Sequence, residues 1–480
     1  MTSAPQPYEY LRASAERSPD AIAIATTERT MSYSFLADAS ARIGTVLRER
    51  GIQPGDVVAL NLPFDINALF TWATIHEAAT TCMFHPFMID NDFLDVRLVI
   101  TTVPIEGLEP ARTFFVNENF LQSLEEVPAT PNIPYPNDDA IVRMAFTSGT
   151  TGRPKAIAVD LVKMEAMRLY YGHFNPSDGG FFSTMPPLDG PGWVYQFFDI
   201  SEGRTYLVPG SAAENITLLN RWKYRNMLGS AGQLSSIVEL LLQRGGTLEH
   251  LDYVASVGSQ LPTSIAQALQ QLTGGTTVTN AYGSTEGAGI ARRDDADPTA
   301  NYMGELLEEA EVQIVDPETL QPVAHGEVGL IAVRGEHVAS GYYRDPEATA
   351  KHFIDGWFYS GDLGRLDGTK LFLEGRESER INSGGVKVDP AAIDDVLHSL
   401  DVVSDCAAFA LRTPNGLDLI AAAVVLRDDR TDAELTEAVS ARLRSETPRV
   451  WVRVESIPRN PNGKPLRRDL TERYSQPSGS

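Results

Sequence analysis

The chain has 480 residues, of which 42% are hydrophobic and 22% are charged, so we expect a folded protein of two or more domains and exclude a disordered or fibrous chain. Its 40 lysines and arginines against 64 aspartates and glutamates give a formal net charge of -24. A surface this acidic repels the phosphates of nucleic acids and of anionic lipids, so we expect neither nucleic acid nor a membrane as a partner.

We expect no targeting segment in the early part of the chain. Residues 1–19 carry charges of both signs and lack the apolar core of a signal peptide. The most apolar early stretch, Val57–Phe87, is interrupted by Asp65, His76 and Glu77 and is therefore not expected to span a membrane. These features favour a cytoplasmic protein, and they are compatible with a monomer or a homodimer.

Short apolar runs alternate with segments of helical periodicity up to about Ala310, which is typical of α/β layers around mostly parallel sheets. The predicted strands are Val57–Leu60, Leu98–Thr101, Ile141–Phe146, Tyr206–Val208 and Tyr253–Val257. The predicted helices are Phe64–Ala79, Leu161–Tyr171, Ile216–Tyr224 and Leu234–Arg244.

The pattern changes after Ala310. Short strands separated by turns predict a small β-rich subdomain and are found at Glu311–Val315, Gly329–Val333 and Leu371–Glu374. A second α/β unit follows, with helices at Pro390–Leu400 and Asp432–Arg444 and strands at Cys406–Arg412 and Leu419–Leu426. We predict a large domain over residues 1–375 and a small α+β domain over residues 376–480, joined at the charged, turn-prone segment Gly375–Glu379.

A loop rich in hydroxyl groups and glycine follows the strand predicted at Ile141–Phe146. Glycines let backbone N–H groups turn towards an anion, hydroxyls donate to phosphate oxygens, and a lysine adds positive charge. Pro154 takes the place of the second glycine of a Walker loop, so this is a different phosphate cradle. A Ser/Thr-rich surface turn is the alternative. The candidate phosphate-binding residues are Thr147, Ser148, Gly149, Thr150, Thr151, Gly152 and Lys155.

The segment from Phe146 to Lys155 closely resembles the signature loop of the adenylate-forming superfamily, which includes acyl-CoA synthetases, aryl-CoA ligases, luciferases and the adenylation domains of peptide synthetases. Further matches follow in the family's order at Gly258–Pro262, Asn280–Glu286, Tyr359–Leu363, Gly375–Arg376 and Pro458–Lys464. Each short match alone could be an ordinary turn. Together they span residues 146 to 464, which argues against coincidence.

The resemblance implies ATP and Mg²⁺ as ligands and a role for individual residues. Tyr282 would stack on adenine, Thr285 would bond the α-phosphate, and Glu286 would hold Mg²⁺ together with Thr150. An aromatic face suits a purine and a hard carboxylate suits magnesium. Asp362 would accept both ribose hydroxyls. Further nucleotide contacts would come from Gly258, Ser259, Gln260, Asn280, Ala281, Gly283 and Arg376.

The reaction implied by the resemblance joins a small-molecule carboxylic acid to the AMP part of ATP and releases pyrophosphate. Negative charge concentrates on the α-phosphorus oxygens in the transition state, so positioning and electrostatic stabilisation should dominate catalysis. Lys464 would act as the catalytic lysine, with Thr150, Thr285 and Glu286 on the opposite side. Because Lys464 lies on the small domain, the resemblance implies that this domain is mobile and rotates about a hinge at Ser378.

The acceptor of the acyl group stays open between three chemistries. The stretch Ile381–Lys387 resembles the segment after the hinge in many CoA ligases. This resemblance favours coenzyme A as the acceptor. The alternative is that the stretch is an ordinary β-turn with no part in acyl transfer. Ala156, Asp160 and Asp189 depart from the family's usual residues, and a carboxylate at position 189 could serve an amine substrate or nucleophile. The alternatives are therefore an amide-bond synthetase, the loading of a carrier-protein thiol, and an inactive relative that only binds nucleotides.

The acid is expected to occupy a pocket with aromatic walls and small residues opposite them. Such a shape suits a flat or medium-sized acid better than a long acyl chain. The predicted pocket residues are Tyr170, Tyr171, Asp189, Trp193, Tyr195, Gly229 and Gly232.

Overall fold

The structure is a computed structural model that describes residues 4–89, 94–117, 119–147, 155–173, 180–187, 190–258, 261–294, 301–383, 386–413, 418–459 and 465–475. Its helices are α1 (Pro7–Arg17), α2 (Tyr33–Glu49), α3 (Phe64–His76), α4 (Phe120–Ser123), α5 (Leu161–His173), α6 (Gly190–Ser201), α7 (Ala212–Trp222), α8 (Ala231–Arg244), α9 (Thr263–Leu272), α10 (Pro346–His352), α11 (Pro390–His398), α12 (Asp432–Leu443) and α13 (Arg467–Tyr474). Within these described ranges, no helix has the length and apolar character needed to cross a bilayer.

The strands of the first half are β1 (Ile22–Ala25), β2 (Thr30–Ser32), β3 (Val57–Asn61), β4 (Thr80–Met83), β5 (Val96–Thr101), β6 (Thr113–Phe115), β7 (Ile141–Thr147), β8 (Lys155–Asp160), β9 (Phe181–Ser183), β10 (Tyr206–Leu207) and β11 (Asn226–Gly229). The later strands are β12 (Tyr253–Val257), β13 (Thr277–Ser284), β14 (Ala288–Arg293), β15 (Tyr302–Leu306), β16 (Glu311–Val315), β17 (Gly329–Arg334), β18 (Phe353–Ile354), β19 (Trp357–Asp367), β20 (Lys370–Arg376), β21 (Ile381–Ser383), β22 (Val386–Val388), β23 (Val403–Arg412), β24 (Asp418–Leu426) and β25 (Val450–Arg453).

The first large sheet has the strand order β6-β5-β3-β4-β7-β8. Its strands β5, β3, β4 and β7 run parallel, and β8 returns antiparallel to β7. Helix α3 covers this sheet and is buried over nearly its whole length, with Leu69, Phe70 and Trp72 at its centre. The hydrophobic core beneath it fixes β7, whose carboxyl end leads into the predicted phosphate-binding loop.

The second large sheet joins a parallel half to an antiparallel half. Strands β9, β11, β12 and β13 pair in parallel, and the order continues antiparallel through β14, β15, β20, β19, β17 and β16. The α/β fold class is therefore confirmed. The short strands predicted after Ala310 are antiparallel, and they continue the same sheet.

The carboxyl-terminal part of the chain has its own small sheet, β23-β24-β25, with α11 and α12 packed against it. Its core includes Ile393, Leu397, Ala422 and Leu435, which are almost completely buried. Strand β20 of the large sheet ends at Arg376. The domain boundary at residue 375 stays a prediction.

Several predicted helix limits were wrong. Helix α3 ends at His76 because Ala78 adopts a left-handed conformation, with φ of 53°, and an evenly apolar segment gives no periodic signal of its end. Helices α7 and α8 begin three or four residues before the predicted starts, at Ala212 and Ala231. Ser211 and Ser230 cap them through reciprocal capping boxes, and these caps were visible in the sequence.

A buried ionic cluster anchors the proline-rich loop that leads into β7. Glu77 accepts hydrogen bonds from Arg48 at 2.8 and 2.9 Å, and it lies 2.7 Å from Nδ1 of His76. The other ring nitrogen of His76 lies 3.0 Å from the carbonyl of Thr130, and Arg48 donates to the carbonyl of Pro131 at 3.1 Å. Burial raises the pKa of Glu77, but the bonds from His76 and Arg48 outweigh it and lower the pKa below its ordinary value.

We expect Glu77→Gln to reduce the free energy of unfolding at neutral pH by about 1.5–3 kcal/mol, because hydrogen bonds to a charged group are lost in a buried place. Since the folded-state pKa is depressed, this contribution is present above the ordinary pKa of a glutamate and is lost as the pH falls through the folded-state value. Urea unfolding at several pH values measures both effects. The control Glu9→Gln removes an exposed ion pair with Arg12 and should cost less than about 1 kcal/mol. An equal cost for the two variants would contradict the anchoring role.

Candidate active site

A cleft of about 1560 Å³ lies at the carboxyl ends of the parallel strands. Its lining includes Thr147 at the end of β7, Gly258 just after β12 and Ser284 at the end of β13. The opposite wall comes from the carboxyl-terminal part of the chain, through residues such as Phe409 and Leu466. Carboxyl ends of parallel strands are where α/β proteins bind ligands, because loops and unpaired backbone groups meet there.

The described ends of the predicted phosphate-binding loop pair with each other. Thr147 of β7 lies opposite Lys155 of β8, so these two antiparallel strands end beside the cleft. The ammonium group of Lys155 lies 4.6 Å from the ring centroid of Tyr342. Burial lowers the pKa of Lys155, and the charges of Glu286 and Asp345 oppose that shift. The predicted contacts outside the described residues are Ser148, Gly149, Thr150, Thr151 and Gly152.

Thr285 and Glu286 directly follow β13 and both line the cleft. The Tyr342 hydroxyl donates to Oε1 of Glu286 at 3.0 Å, and the backbone N–H of Ala339 donates to the Glu286 carbonyl at 2.8 Å. Among the described residues, no group of three or more His, Cys, Asp or Glu side chains is placed to hold a metal. A single carboxylate fits Mg²⁺ that takes its other ligands from phosphate oxygens and water.

The Asp362 carboxylate is shared by two strands besides its own. The Tyr282 hydroxyl donates to Oδ2 at 2.6 Å, and Nε of Arg376 donates to Oδ1 at 2.7 Å. Burial, followed by the charge of Asp362, raises the pKa of Tyr282, so its hydroxyl stays protonated and remains a donor. Tyr282 and Arg376 line the cleft, whereas Asp362 is only 6% exposed behind Ser360 and Gly361.

The other nucleotide contacts predicted from the sequence are distributed as follows. Gly258, Ala281 and Gly283 line the cleft, and Asn280 lies outside its lining. Ser259 and Gln260 fall outside the described residues. The roles of all these residues stay predictions.

An aromatic pocket forms the inner end of the cleft. The rings of Tyr170 and Tyr171 meet edge to face at 5.4 Å, and Tyr171 meets Tyr195 in the same way at 5.4 Å. Tyr195 in turn packs against Phe181 at 5.0 Å, and Phe181 against Tyr253 at 5.8 Å. Burial raises the pKa of Tyr171 to about 12, so this phenol is neutral at physiological pH. The aromatic part of the pocket wall is therefore flat and uncharged.

Three residues predicted in this pocket lie elsewhere. Trp193 is buried against Phe197, with ring centroids 6.1 Å apart, and lies under the guanidinium of Arg143. A Cβ atom at Gly229 would meet the Thr184 hydroxyl at 2.4 Å, so this glycine faces the protein interior. Gly232 is exposed on α8. Helical periodicity does not show which of two buried faces turns towards a cavity. Asp189 lies outside the described residues.

The sequence reading missed several residues that line the pocket. The alternation of Tyr253, Ala255 and Val257 along β12 places all three on the cleft face of the sheet, and this signal was available from the sequence. The other missed residues had no comparable signal and are Phe181, Met185, Leu228 and Arg292.

Two of the departures from the family pattern have structural roles. Asp160 accepts a hydrogen bond from the backbone N–H of Lys163 at 2.8 Å and pairs with its ammonium group at 2.9 Å, so it stabilises the start of α5. Ala156 is buried in β8, where its methyl group belongs to a hydrophobic cluster with Met144 and Phe146.

The carboxyl-terminal wall is tied to the segment that contains the predicted hinge. Ser378 lies in the short 3₁₀ turn Glu377–Glu379, directly after β20. Arg467 donates to Asp394 at 2.7 Å and lies 3.5 Å from Glu379. Pro465 lines the cleft, and Lys464, which precedes it in the sequence, falls outside the described residues.

Comparison with known proteins gives matches over nearly the whole chain. A family model described as "AMP-binding enzyme" matches residues 11–84 and 73–343, and its companion for the C-terminal domain matches residues 392–464. The chain is 25% identical to the medium-chain fatty-acid–CoA ligase of Escherichia coli (strain K12), over 98% of this chain and 91% of that protein. It is 27% identical to a feruloyl-CoA synthase of Amycolatopsis sp, over 96% and 97%.

Solved structures show the same fold. The o-succinylbenzoate CoA synthetase of Bacillus subtilis, in complex with its acyl-adenylate intermediate, superposes with a TM-score of 0.85 at 21% identity and covers 98% of both chains.

We expect Tyr282→Phe to weaken AMP binding about 10-fold, because the ring is kept while a hydrogen bond to the buried Asp362 carboxylate is lost. Isothermal titration with AMP measures this. The control Tyr359→Phe removes a phenol hydroxyl from β19 outside the cleft lining and should leave the affinity unchanged. Equal affinities of Tyr282→Phe and the unmodified protein would show that this hydrogen bond does not shape the nucleotide site.

Proposed function

Because the chain belongs to the AMP-binding enzyme family of the adenylate-forming superfamily, we propose that it activates a carboxylic acid as an acyl-adenylate and releases pyrophosphate from ATP. The observation that carries the proposal is the composition of one cleft. Lys155 and Arg376 line it from the large sheets, and Arg412 and Arg468 line it from the carboxyl-terminal side. Anion-binding groups from both parts of the chain thus face one space.

The proposed reaction begins with attack of a substrate carboxylate oxygen on the α-phosphorus, while the bond to pyrophosphate breaks. Lys464 neutralises the charge that develops on the α-phosphate and on the leaving group, and Thr285 donates a hydrogen bond to the α-phosphate. Glu286, together with Thr150, would hold Mg²⁺, which would supply positive charge to neutralise the phosphates. The Tyr342 hydroxyl orients the Glu286 carboxylate.

We propose coenzyme A as the acyl acceptor. The support is the CoA-ligase names of several relatives and the paired glycines Gly384 and Gly385, which lie outside the described residues. A thin pantetheine arm passes most easily where side chains are absent. The thiolate would attack the acyl carbonyl and expel AMP.

Transfer to an amine is the second candidate. Arg143 is almost fully buried and donates to the carbonyl of Pro187 at 2.9 Å, which fixes the chain two residues before Asp189. The Asp189 carboxylate, which lies outside the described residues, would be the base that accepts a proton from an attacking amine. A carrier-protein thiol remains a third acceptor in the proposal.

A screen for acid-dependent pyrophosphate release, run with and without coenzyme A and an amine panel, tests the function. We expect release with at least one acid, AMP as the nucleotide product, and an acyl-CoA of matching mass when coenzyme A is present. Amide products that disappear in Asp189→Asn, with pyrophosphate release retained, would favour the amine acceptor. Nucleotide binding without release by any acid would mean an inactive relative.

We expect Lys464→Met to lower the rate of acid-dependent pyrophosphate release about 10²–10³-fold, because one charge that stabilises the transition state is removed. Acyl transfer from a chemically prepared acyl-adenylate should be much less affected, since that step leaves the α-phosphate bonds intact. Rapid-quench assays of the two half-reactions measure both effects.

The matched control is Lys370→Met, at the exposed start of β20, which should retain both half-reactions. A Lys464→Met variant that forms adenylate at the original rate would contradict the assigned role.

A further inference from the structure

One charged side chain lies beside the aromatic pocket. Arg292 of β14 lines the cleft together with Tyr170 and Tyr253. It lies opposite Ala281 of β13, which in turn pairs with Val257 of β12, so all three side chains share one face of the sheet. The guanidinium therefore belongs to the wall against which an acid substrate would lie.

The other side chains of this wall are apolar or aromatic, and they are Phe181, Met185, Leu228, Ala255 and Val257. The remaining charged groups of the large-sheet wall, such as Lys155 and Glu286, lie where the phosphates are expected. Among the lining residues that the structure describes, Arg292 is the charged group that interacts electrostatically with both Tyr170 and Tyr253.

Tyr253, which lines the same part of the pocket as Arg292, takes part in polar contacts. The Thr279 hydroxyl donates to the hydroxyl of Tyr253 at 2.7 Å. Burial raises the pKa of Tyr253, and hydrogen bonding from Thr279 and the nearby Arg292 opposes the shift. The pocket therefore ends in hydrogen-bonding groups.

One partner of Arg292, besides its hydrogen bond with Tyr253, is a carboxylate that a ligand can replace. Nε of Arg292 lies 2.9 Å from Oδ1 of Asp294, and its Nη2 donates to Oδ2 at 3.2 Å. The Arg292 side chain is 33% exposed and that of Asp294 is 52% exposed. An ion pair this open to water contributes little stability, so a bound acceptor group would displace or share it at small cost.

We infer that Arg292 selects acids that carry an oxygen acceptor at the end remote from the reacting carboxyl group. This inference rests on the proposed activation of an acid in this cleft. The planar guanidinium matches a carboxylate or nitro group with two parallel hydrogen bonds. An acid with an apolar end would desolvate the guanidinium without replacing its bonds, and sites built this way reject such analogues strongly.

Three benzoic acids of similar shape separate the contributions of charge and of hydrogen bonding to the substrate preference. They carry at the para position an isopropyl group, a nitro group or a second carboxylate, and kcat/KM for pyrophosphate release is measured for each. We expect the unmodified enzyme to prefer at least one acceptor-bearing acid over 4-isopropylbenzoate by about 10- to 100-fold. Preference for the dicarboxylate over the nitro acid would identify charge, and equal rates would identify hydrogen bonding, as the selected property.

Substitution at residue 292 should remove the preference and leave catalysis of the apolar acid intact. Arg292→Met is expected to bring the three values of kcat/KM within about threefold of one another, since its side chain has similar length and no donors. Asp294→Asn keeps the guanidinium and weakens its resident partner, so it should increase the preference. The control Arg225→Met breaks an exposed pair with Asp252 outside the cleft and should leave the ratios unchanged.

The outcomes separate this inference from the proposed function. A preference of the unmodified enzyme for 4-isopropylbenzoate, release only with acids that lack a remote acceptor, or the same ratios in Arg292→Met would each overturn the inference while confirming adenylation. Release with no acid in any broader panel would instead overturn the proposed function. Thermal unfolding of each variant shows whether a loss of rate reflects a loss of folded protein, and Asp294→Asn keeps the test available if Arg292→Met does not fold.

Discussion

The hydrogen bond from Tyr282 to Asp362 constrains the second large sheet and the site built on it. Tyr282 lies on β13 and Asp362 on β19, which are separated by β14, β15 and β20 in the strand order. Four steps across a flat sheet would place the two strands about 19 Å apart, too far for these side chains to meet. The sheet must therefore curl strongly, and the curl turns its parallel half towards its antiparallel half. The cleft lies inside this curl, which explains why residues from distant strands surround it.

The sequence predicted the local parts of this arrangement well. The strands over Tyr253–Val257 and Ile141–Phe146 followed from short apolar runs, whereas the returning strand β8, which forms a hairpin with β7, was not predicted. The motif around Tyr282 and the aspartate at 362 could each be located, but their mutual bond could not, because a strand pattern does not specify non-local pairing. The predicted place of Trp193 in the pocket was wrong for a related reason. Its aromatic character suited a pocket, but only the packing of α6 on its neighbours decides which way the ring faces.

Charge is distributed unevenly between the surface and the cleft. The chain carries a formal net charge of -24, whereas the described cleft lining has equal numbers of basic and acidic residues, with Lys155, Arg292 and Arg376 among the basic ones. Local cations and donor groups act over short distances inside a partly desolvated cleft, whereas the acidic surface is screened by salt beyond about 10 Å. The acidic surface can therefore disfavour nucleic acids and anionic membranes while the cleft attracts a nucleotide and an acid. Neutral tyrosines between these cations give the acid a dry wall along which its orientation can be fixed.

The most direct test of the central claim follows one oxygen atom. With an acid whose carboxyl group carries ¹⁸O, attack on the α-phosphorus of ATP followed by acyl transfer leaves one labelled oxygen in AMP. The account predicts that mass spectrometry of the nucleotide product finds AMP with one ¹⁸O and finds unlabelled pyrophosphate. Unlabelled AMP, or ADP with the label in inorganic phosphate, would contradict activation of the acid as an adenylate.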